Sequence, residues 1–115
     1  MKLKNYLGSE KDLCNNIVTV LNMKGCHVWR QNAGMIAVET ATGSRRVIRV
    51  GQPGQSDIIG IRKRDGRFIA IEVKKPQTRS RVTPLQSLWL KEMTEYGALA
   101  GVATSEEEAL EIVAK

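Results

Sequence analysis

The sequence predicts one α/β domain, a mixed sheet with helices on both faces, on the strength of three observations. Amphipathic and extended segments follow one another in the order α-β-β-β-α-β-α. An Asp-Gly turn joins two apolar strands in the middle of the chain, which makes that pair antiparallel. A strand-helix-strand unit follows, and a crossover of that kind makes its two strands parallel. Helices on either side of such a sheet bury its faces. The 115 residues suit a single core, so residues 1–115 are read as one domain.

Each element has its own warrant. Ser9 caps the first helix and Asp12 stands in the capping-box position. Leu13, Ile17, Val20 and Leu21 recur at helical spacing and Gly25 stops the run, which predicts a helix over residues 10–24. Residues 26–31 read as a strand, followed by a turn at Asn32-Ala33-Gly34. Residues 35–38 fit a helical and an extended piece equally well, 40–44 are a polar loop and 46–50 are extended. Gly51-Gln-Pro-Gly-Gln-Ser56 is a loop of turn formers. Residues 57–62 and 67–73 are the two strands of the hairpin, turned at Lys63-Arg64-Asp65-Gly66. The unbroken apolar run of the second strand gives it a central place, covered on both faces. A basic loop occupies 75–82. Thr83 then caps a helix with Pro84 at its first position and an apolar face of Leu85, Leu88, Trp89, Met93 and Tyr96. Gly97 ends it, residues 98–103 form a short strand, and Ser105 caps a last helix whose three first-turn glutamates complement the macrodipole.

Composition narrows the function classes. Hydrophobic residues make up 42% and charged residues 26%, ordinary for a globular chain. There is no apolar run of membrane-spanning length, and the start turns polar too soon for a signal peptide. The expectation is therefore a cytoplasmic protein with no membrane partner. Cys14 and Cys26 lack the spacing of a metal pair and are expected to be reduced. Cys14 lies on a helix face and Cys26 near a turn. His27 stands alone, which argues against a zinc site of His and Cys. The net charge of +6 is unevenly spread: residues 45–81 hold eleven Lys/Arg against three Asp/Glu, while 82–115 hold two against six. A strongly basic middle segment suits a polyanion such as nucleic acid, the alternative being a solvated face with no partner.

The chemistry concentrates in Asp57 and Glu72-Val73-Lys74. Side chains alternate along a strand, so Glu72 and Lys74 share a face. If Asp65 and Gly66 are the central turn residues, Asp57 lies opposite Lys74 with Glu72 diagonal to it. If the turn is centred between Arg64 and Asp65, Asp57 faces Glu72 directly. Carboxylates that close repel unless a cation lies between them or one is protonated. A hard divalent ion, Mg²⁺ or Mn²⁺, wants oxygen ligands and keeps waters for chemistry. Lys74 beside it is placed to orient or deprotonate a water or to neutralise charge on a phosphate. Glu10 is a third candidate acid. Arg45, Arg46, Arg49, Arg79 and Arg81 flank the pair and are candidates for holding DNA phosphates, with Ser56 and Lys75 beside the motif. Taken alone, Glu-x-Lys on a strand is common on a solvated stripe; here its neighbours are apolar, and charges in such a strand need a reason.

With those residues in place, three segments resemble a known family: Gly51-Gln-Pro-Gly-Gln-Ser-Asp57-Ile-Ile-Gly60, Phe68-Ile-Ala-Ile-Glu72-Val-Lys74-Lys75-Pro76 and Thr83-Pro-Leu-Gln86-Ser-Leu-Trp89-Leu. Together they are similar to a VRR-NUC domain, of the PD-(D/E)XK nuclease superfamily, and the likeness runs from about Glu10 to Ala109. The resemblance implies a restriction-endonuclease-like αβββαβα core. It implies that Asp57 and Glu72 ligate Mg²⁺ or Mn²⁺ with the Val73 carbonyl, and that Lys74 is the catalytic lysine. Gln86 would reach the site from its helix, and Glu10 would contribute from the first one. Stand-alone members occur in phages and bacteria, look like Holliday-junction resolvases and are expected to act as homodimers on branched DNA. The family pattern leaves a 5′-phosphate and a 3′-hydroxyl.

The expected function is therefore a metal-dependent, structure-selective DNA endonuclease, the alternative a non-catalytic nucleic-acid-binding module. Trp89, Met93 and Tyr96 are read as core and His27 as structural; Trp29 is assigned to neither class.

Overall fold

The computed structural model describes residues 5–31 and 34–115. Ser9 opens helix α1, Glu10–Met23, through the expected capping box: its hydroxyl oxygen accepts from the Asp12 N–H at 3.0 Å and the Asp12 carboxylate accepts from the Ser9 N–H at 3.1 Å. The chain then forms β1 Cys26–Arg30, β2 Gly34–Glu39, β3 Arg45–Val50, β4 Ile58–Arg62 and β5 Phe68–Val73. A 3₁₀ segment, Pro76–Arg81, leads into α2 Pro84–Glu95, β6 Leu99–Ala103 and α3 Glu106–Val113.

Four strands make the main sheet in the order β1-β4-β5-β6. β4 runs antiparallel to β1 and β5, and β6 parallel to β5. With β2 and β3 set aside, the order is αβββαβα, a restriction-endonuclease-like core. Helices α1 and α3 cover one face, where Leu13, Ile17, Leu21, Ile58, Ile69, Ile71 and Leu99 are almost wholly buried. Each such side chain contributes roughly 1.5–3 kcal/mol by leaving water. Helix α2 covers the other face alone, packing Trp89 and Leu90 on Ala70. β5 sits between two strands and two helix layers, which is why its sequence is an apolar run: Ile69, Ile71 and Val73 point to one layer, Ala70 and Glu72 to the other.

One open reading is resolved and one expectation changes. Residues 35–38 are extended, because 45–50 lies beside them as an antiparallel partner, from Gly34 opposite Val50 to Glu39 opposite Arg45. This ribbon forms its own sheet, and residues 41–48 are exposed whichever way they point, Val47 and Ile48 included. The expected turn at Asn32 and Ala33 lies outside the described residues. The apolar face assigned to α2 is also too wide. Leu85 and Leu88 are more than half exposed and Tyr96 is 77% exposed. A helix lying alone on a sheet buries one stripe, here along Gln86, Trp89, Leu90 and Met93; Leu85 and Leu88 fall beside it and Tyr96 lies at the helix end. Trp29 is 45% exposed on the outer face of β1, with His27 edge-on to it at 6.0 Å. None of the described helices is long and apolar enough to cross a membrane.

The topology gathers one set of ends. The starts of α1, α2, α3 and β4 and the finishes of β1, β5 and β6 all lie at one end of the sheet. Three helix N-termini there present positive partial charge.

Candidate active site

The hairpin register decides the central pair. Ile58 stands opposite Ile71, so one step further Asp57 faces Glu72 directly, the second of the two turn centrings. The turn closes through the Gly66 N–H to the Arg62 carbonyl at 2.7 Å and the Arg62 N–H to the Arg67 carbonyl at 2.9 Å.

Asp57 is delivered by the loop before it. Gly54 has φ +78°, and a Cβ built there would stand 2.3 Å from the Leu85 carbonyl oxygen. Only glycine lets this loop touch the backbone at the start of α2. The Trp89 indole N–H donates to Gln52 Oε1 at 2.9 Å and fastens the same loop to α2. Ser56 is buried and its hydroxyl donates to the Ile58 carbonyl at 3.1 Å. Its place is inside the turn that presents Asp57, away from any surface a DNA phosphate could reach. The Asp57 Oδ2 accepts the Val73 N–H at 2.8 Å, which ties the start of β4 to the finish of β5.

Glu72 is 2% exposed. Its Oε1 accepts from the Gln86 Nε2 at 3.1 Å, while its Oε2 is buried without a hydrogen-bond partner. Burial pushes the Glu72 carboxyl up to about 9, and the charge of Asp57 adds to the rise. A charged Glu72 here requires a cation. Gln86 is held in turn by its helix cap, where its Oε1 accepts the Thr83 N–H at 2.9 Å. The α2 start thus reaches Glu72 through one rigid amide. Lys74 follows directly after β5, half-buried, its N–H bonded to the Ala103 carbonyl at 3.1 Å.

Glu10 meets Asp57 but does not enter the cleft that holds Glu72. The Thr78 hydroxyl reaches its Oε2 at 3.3 Å, and Glu10 and Asp57 line a small cavity of about 140 Å³ with Lys11, Cys14 and Arg30. On the other side of Asp57 a cleft of about 240 Å³ takes in Glu72, Gln86, Gln31 and the 52–55 loop. Asp57 therefore separates two cavities. Burial, with the Asp57 charge adding, raises the Cys14 thiol to about 12, so it lines its cavity as a neutral group.

The basic segment divides between the two ends of the sheet and the ribbon. Lys74, Lys75, Arg79 and Arg81 follow β5 on the carboxylate side, Arg45 and Arg46 stand on the separate ribbon at the end away from its Gly34–Val50 pair, and Arg62, Lys63, Arg64 and Arg67 lie at the far end of the hairpin. Arg45, Arg46 and Arg81 are exposed. Arg79 reaches Glu108 at 3.3 Å, and Lys75 Nζ reaches the Gly8 carbonyl at 3.4 Å. The side chain of Arg49 lies outside the described residues. A larger cleft, about 700 Å³, opens at the far end around Leu110 and Val113. It holds no carboxylate pair and stands away from this chemistry.

The donor set suits a hard divalent cation. Among the described residues no three of His, Cys, Asp and Glu are grouped closely enough to hold a metal ion by themselves. Asp57 and Glu72 would be joined by a backbone carbonyl and water, the partly hydrated coordination Mg²⁺ prefers. The orphaned Glu72 oxygen is the observation that fits. The sequence reading missed Thr78 and Arg30, which reach the site only through tertiary contacts, and Gly54, whose Gly-Gln-Pro-Gly loop was visible but not its contact with α2.

A family model described as the VRR-NUC domain matches residues 9–107. No curated protein matches the chain.

Proposed function

The chain belongs to the VRR-NUC domain family, a nuclease-type domain with DNA as its partner, and from that premise we propose that it is a metal-dependent, structure-selective DNA endonuclease. The observation that carries this reading is the buried Glu72, its Oε2 unpartnered, facing Asp57 with Lys74 next in line. Asp57, Glu72 and the Val73 carbonyl would hold Mg²⁺ or Mn²⁺, with Glu10 contributing from the adjoining cavity. Bound there, the ion supplies Lewis acidity toward the phosphate and acidifies an attacking water. Lys74 orients that water or helps to deprotonate it, or offsets charge developing on the phosphate oxygens. Gln86 holds Glu72 in place through Oε1 and leaves Oε2 free for the ion. Hydrolysis in line breaks the bond from phosphorus to the 3′-oxygen and leaves a 5′-phosphate.

We read the selectivity as one for DNA shape, since the groups available at this end of the sheet are cations that meet phosphates and carry no base preference. A homodimer would set two such centres at a fixed spacing, as symmetric cutting of a four-way junction requires. The exposed Leu85 and Leu88 on α2 offer apolar area for it. Sedimentation as a monomer at working concentration would remove the dimer. We place the protein in the cytoplasm, with its substrate.

The test is cleavage of labelled four-way junction, flap and linear duplex DNA in Mg²⁺, Mn²⁺ or EDTA, native chain against Lys74→Ala. Metal-dependent cutting that disappears in Lys74→Ala is expected, with the junction cut in preference. Binding that persists in EDTA with no cutting in either metal would make the protein a non-catalytic binding module.

A further inference from the structure

The cavity on the α1 side of Asp57 lies outside the cleft that holds Glu72, and it is built from charged groups. Arg30 ends β1, paired through its backbone with Ile58. It is half-buried and lines the cavity with Lys11, Glu10, Asp57 and Cys14. Two carboxylates share that cavity, and among the described residues the Arg30 side chain takes neither as an ion-pair or hydrogen-bond partner. The contrast with Arg62 is direct. Arg62 spends its guanidinium on both oxygens of Asp65 and on the carbonyls of Val113 and Lys115.

We propose that Arg30, assisted by Lys11, forms a phosphate subsite that takes the phosphodiester next to the reacting one along the bound DNA strand. The inference rests on the reading that this end of the sheet meets DNA. Three physical points support it. A guanidinium fork matches two phosphate oxygens at once, and a half-buried one is more weakly hydrated than a lysine. Lys11 stands in the first turn of α1, where the helix N-terminus adds to the positive field. Asp57 is common to both cavities, so a phosphate beside Arg30 is a neighbour of whatever lies against Glu72. The cavity balances as it stands, with Glu10 and Asp57 against Lys11 and Arg30. Once Asp57 serves a cation, the remainder favours an anion. Arg30 and Lys11 then fix the register of the strand and carry no base preference.

The test is DNA binding in the cleavage-dead Lys74→Ala background with Mg²⁺, measured on labelled duplex across a salt series. Removing one phosphate contact lowers the slope of log K against log salt by about 0.9. Arg30→Ala is expected to lower the slope by about that amount and to weaken binding roughly tenfold at low salt. Arg30→Lys should keep the slope, Lys11→Ala should lower it by less, and Arg64→Ala at the far end should leave it alone. A residue that only packed against Cys14 would not move the slope. Arg30→Gln replaces Arg30→Ala if the alanine variant melts early. An unchanged slope in a folded Arg30→Gln overturns the proposal. Cleavage by the native chain, run in parallel, separates the two readings. Cutting with an unchanged slope removes the subsite alone. A lowered slope without cutting keeps the subsite and removes the nuclease. No binding to DNA removes both.

Discussion

The two ends of this sheet handle charge in opposite ways. At the hairpin end, Arg62 is nearly buried and its guanidinium makes four hydrogen bonds, two to Asp65 and one each to the carbonyls of Val113 and Lys115. The Arg62 hydrogen bonds hold the Asp65 carboxyl down at about 2. At the other end Glu72 is as deeply buried, faces a second carboxylate and keeps one oxygen without a partner. Its carboxyl is displaced upward, and further, to about 9. Both ends lie on the same two strands, and each holds one buried charged side chain, Arg62 at one end and Glu72 at the other. What separates them is whether the partner is part of the chain. A structural pair is complete in itself, whereas a site that binds a cation is left incomplete by design of its ligands.

The sharpest break of this comparison is at Glu72. Glu72→Gln and Lys74→Ala should each lower metal-dependent DNA cleavage about a thousandfold, since each removes a group that acts on the reacting phosphate or holds the ion. Gel assays at saturating DNA check this, and cleavage within tenfold of native in either variant would return the pair to a structural role.

The second test is the pH dependence of stability in EDTA, which should differ in sign at the two ends. The folded Glu72 pKa lies above its unfolded value. Its contribution is therefore fully present below about pH 4.5 and is lost as pH rises toward about 9. The loss is on the order of a few kcal/mol. Glu72→Gln should flatten that decline and raise Tm near pH 8, because the neutral amide needs no proton from solvent on folding. Asp65 is the reverse case: its contribution is present above about pH 4 and is lost as pH falls toward about 2. Asp65→Asn should flatten only this acid limb. Thermal melts across pH decide it, and a native curve with no alkaline decline would contradict the assignment of Glu72.

Gly54 probes the loop that delivers Asp57. Gly54→Ala forces a non-glycine residue to φ +78° and sets its Cβ against the Leu85 carbonyl. A loss of about 2–3 kcal/mol is expected in denaturant melts, with a fall in cleavage beyond what the unfolded fraction explains. The smallest effect is at Gln86. Gln86→Ala removes one hydrogen bond to Glu72 and one to the α2 cap, which should lower cleavage about tenfold and stability by about 0.5–1.5 kcal/mol. A variant cutting at the native rate would show that Glu72 needs no second anchor.

Much of this was legible in the residues. Ser9 with Asp12, Thr83 with Pro84 and Ser105 with its glutamates mark three helix starts because capping is local chemistry. The run from Phe68 to Val73 places β5 at the centre because only a strand covered twice is apolar on both sides. The hairpin was visible in Asp65-Gly66, but its register was not. Two centrings satisfy the same turn residues and bury the same side chains on the same face; the pairing of Ile58 with Ile71 in the folded sheet is what separates them. The ribbon was half visible: strand 35–38 has no distinguishing period, and its extended form comes from pairing with 45–50.

The sequence by itself determined where helices begin, which strand is central and which residue types, Asp57, Glu72 and Lys74, carry the chemistry, since all of these depend on near neighbours along the chain. Only the tertiary structure decided that Arg62, Lys63 and Arg64 turn away from the site while Arg30 turns toward it, that Ser56 is buried, that Leu85 and Leu88 are not, and that Gln86 reaches Glu72. Those outcomes depend on which ends of the elements meet, and that is settled by the packing of β1 on β4 and of α2 on the sheet, contacts between residues far apart in the chain that no local pattern encodes.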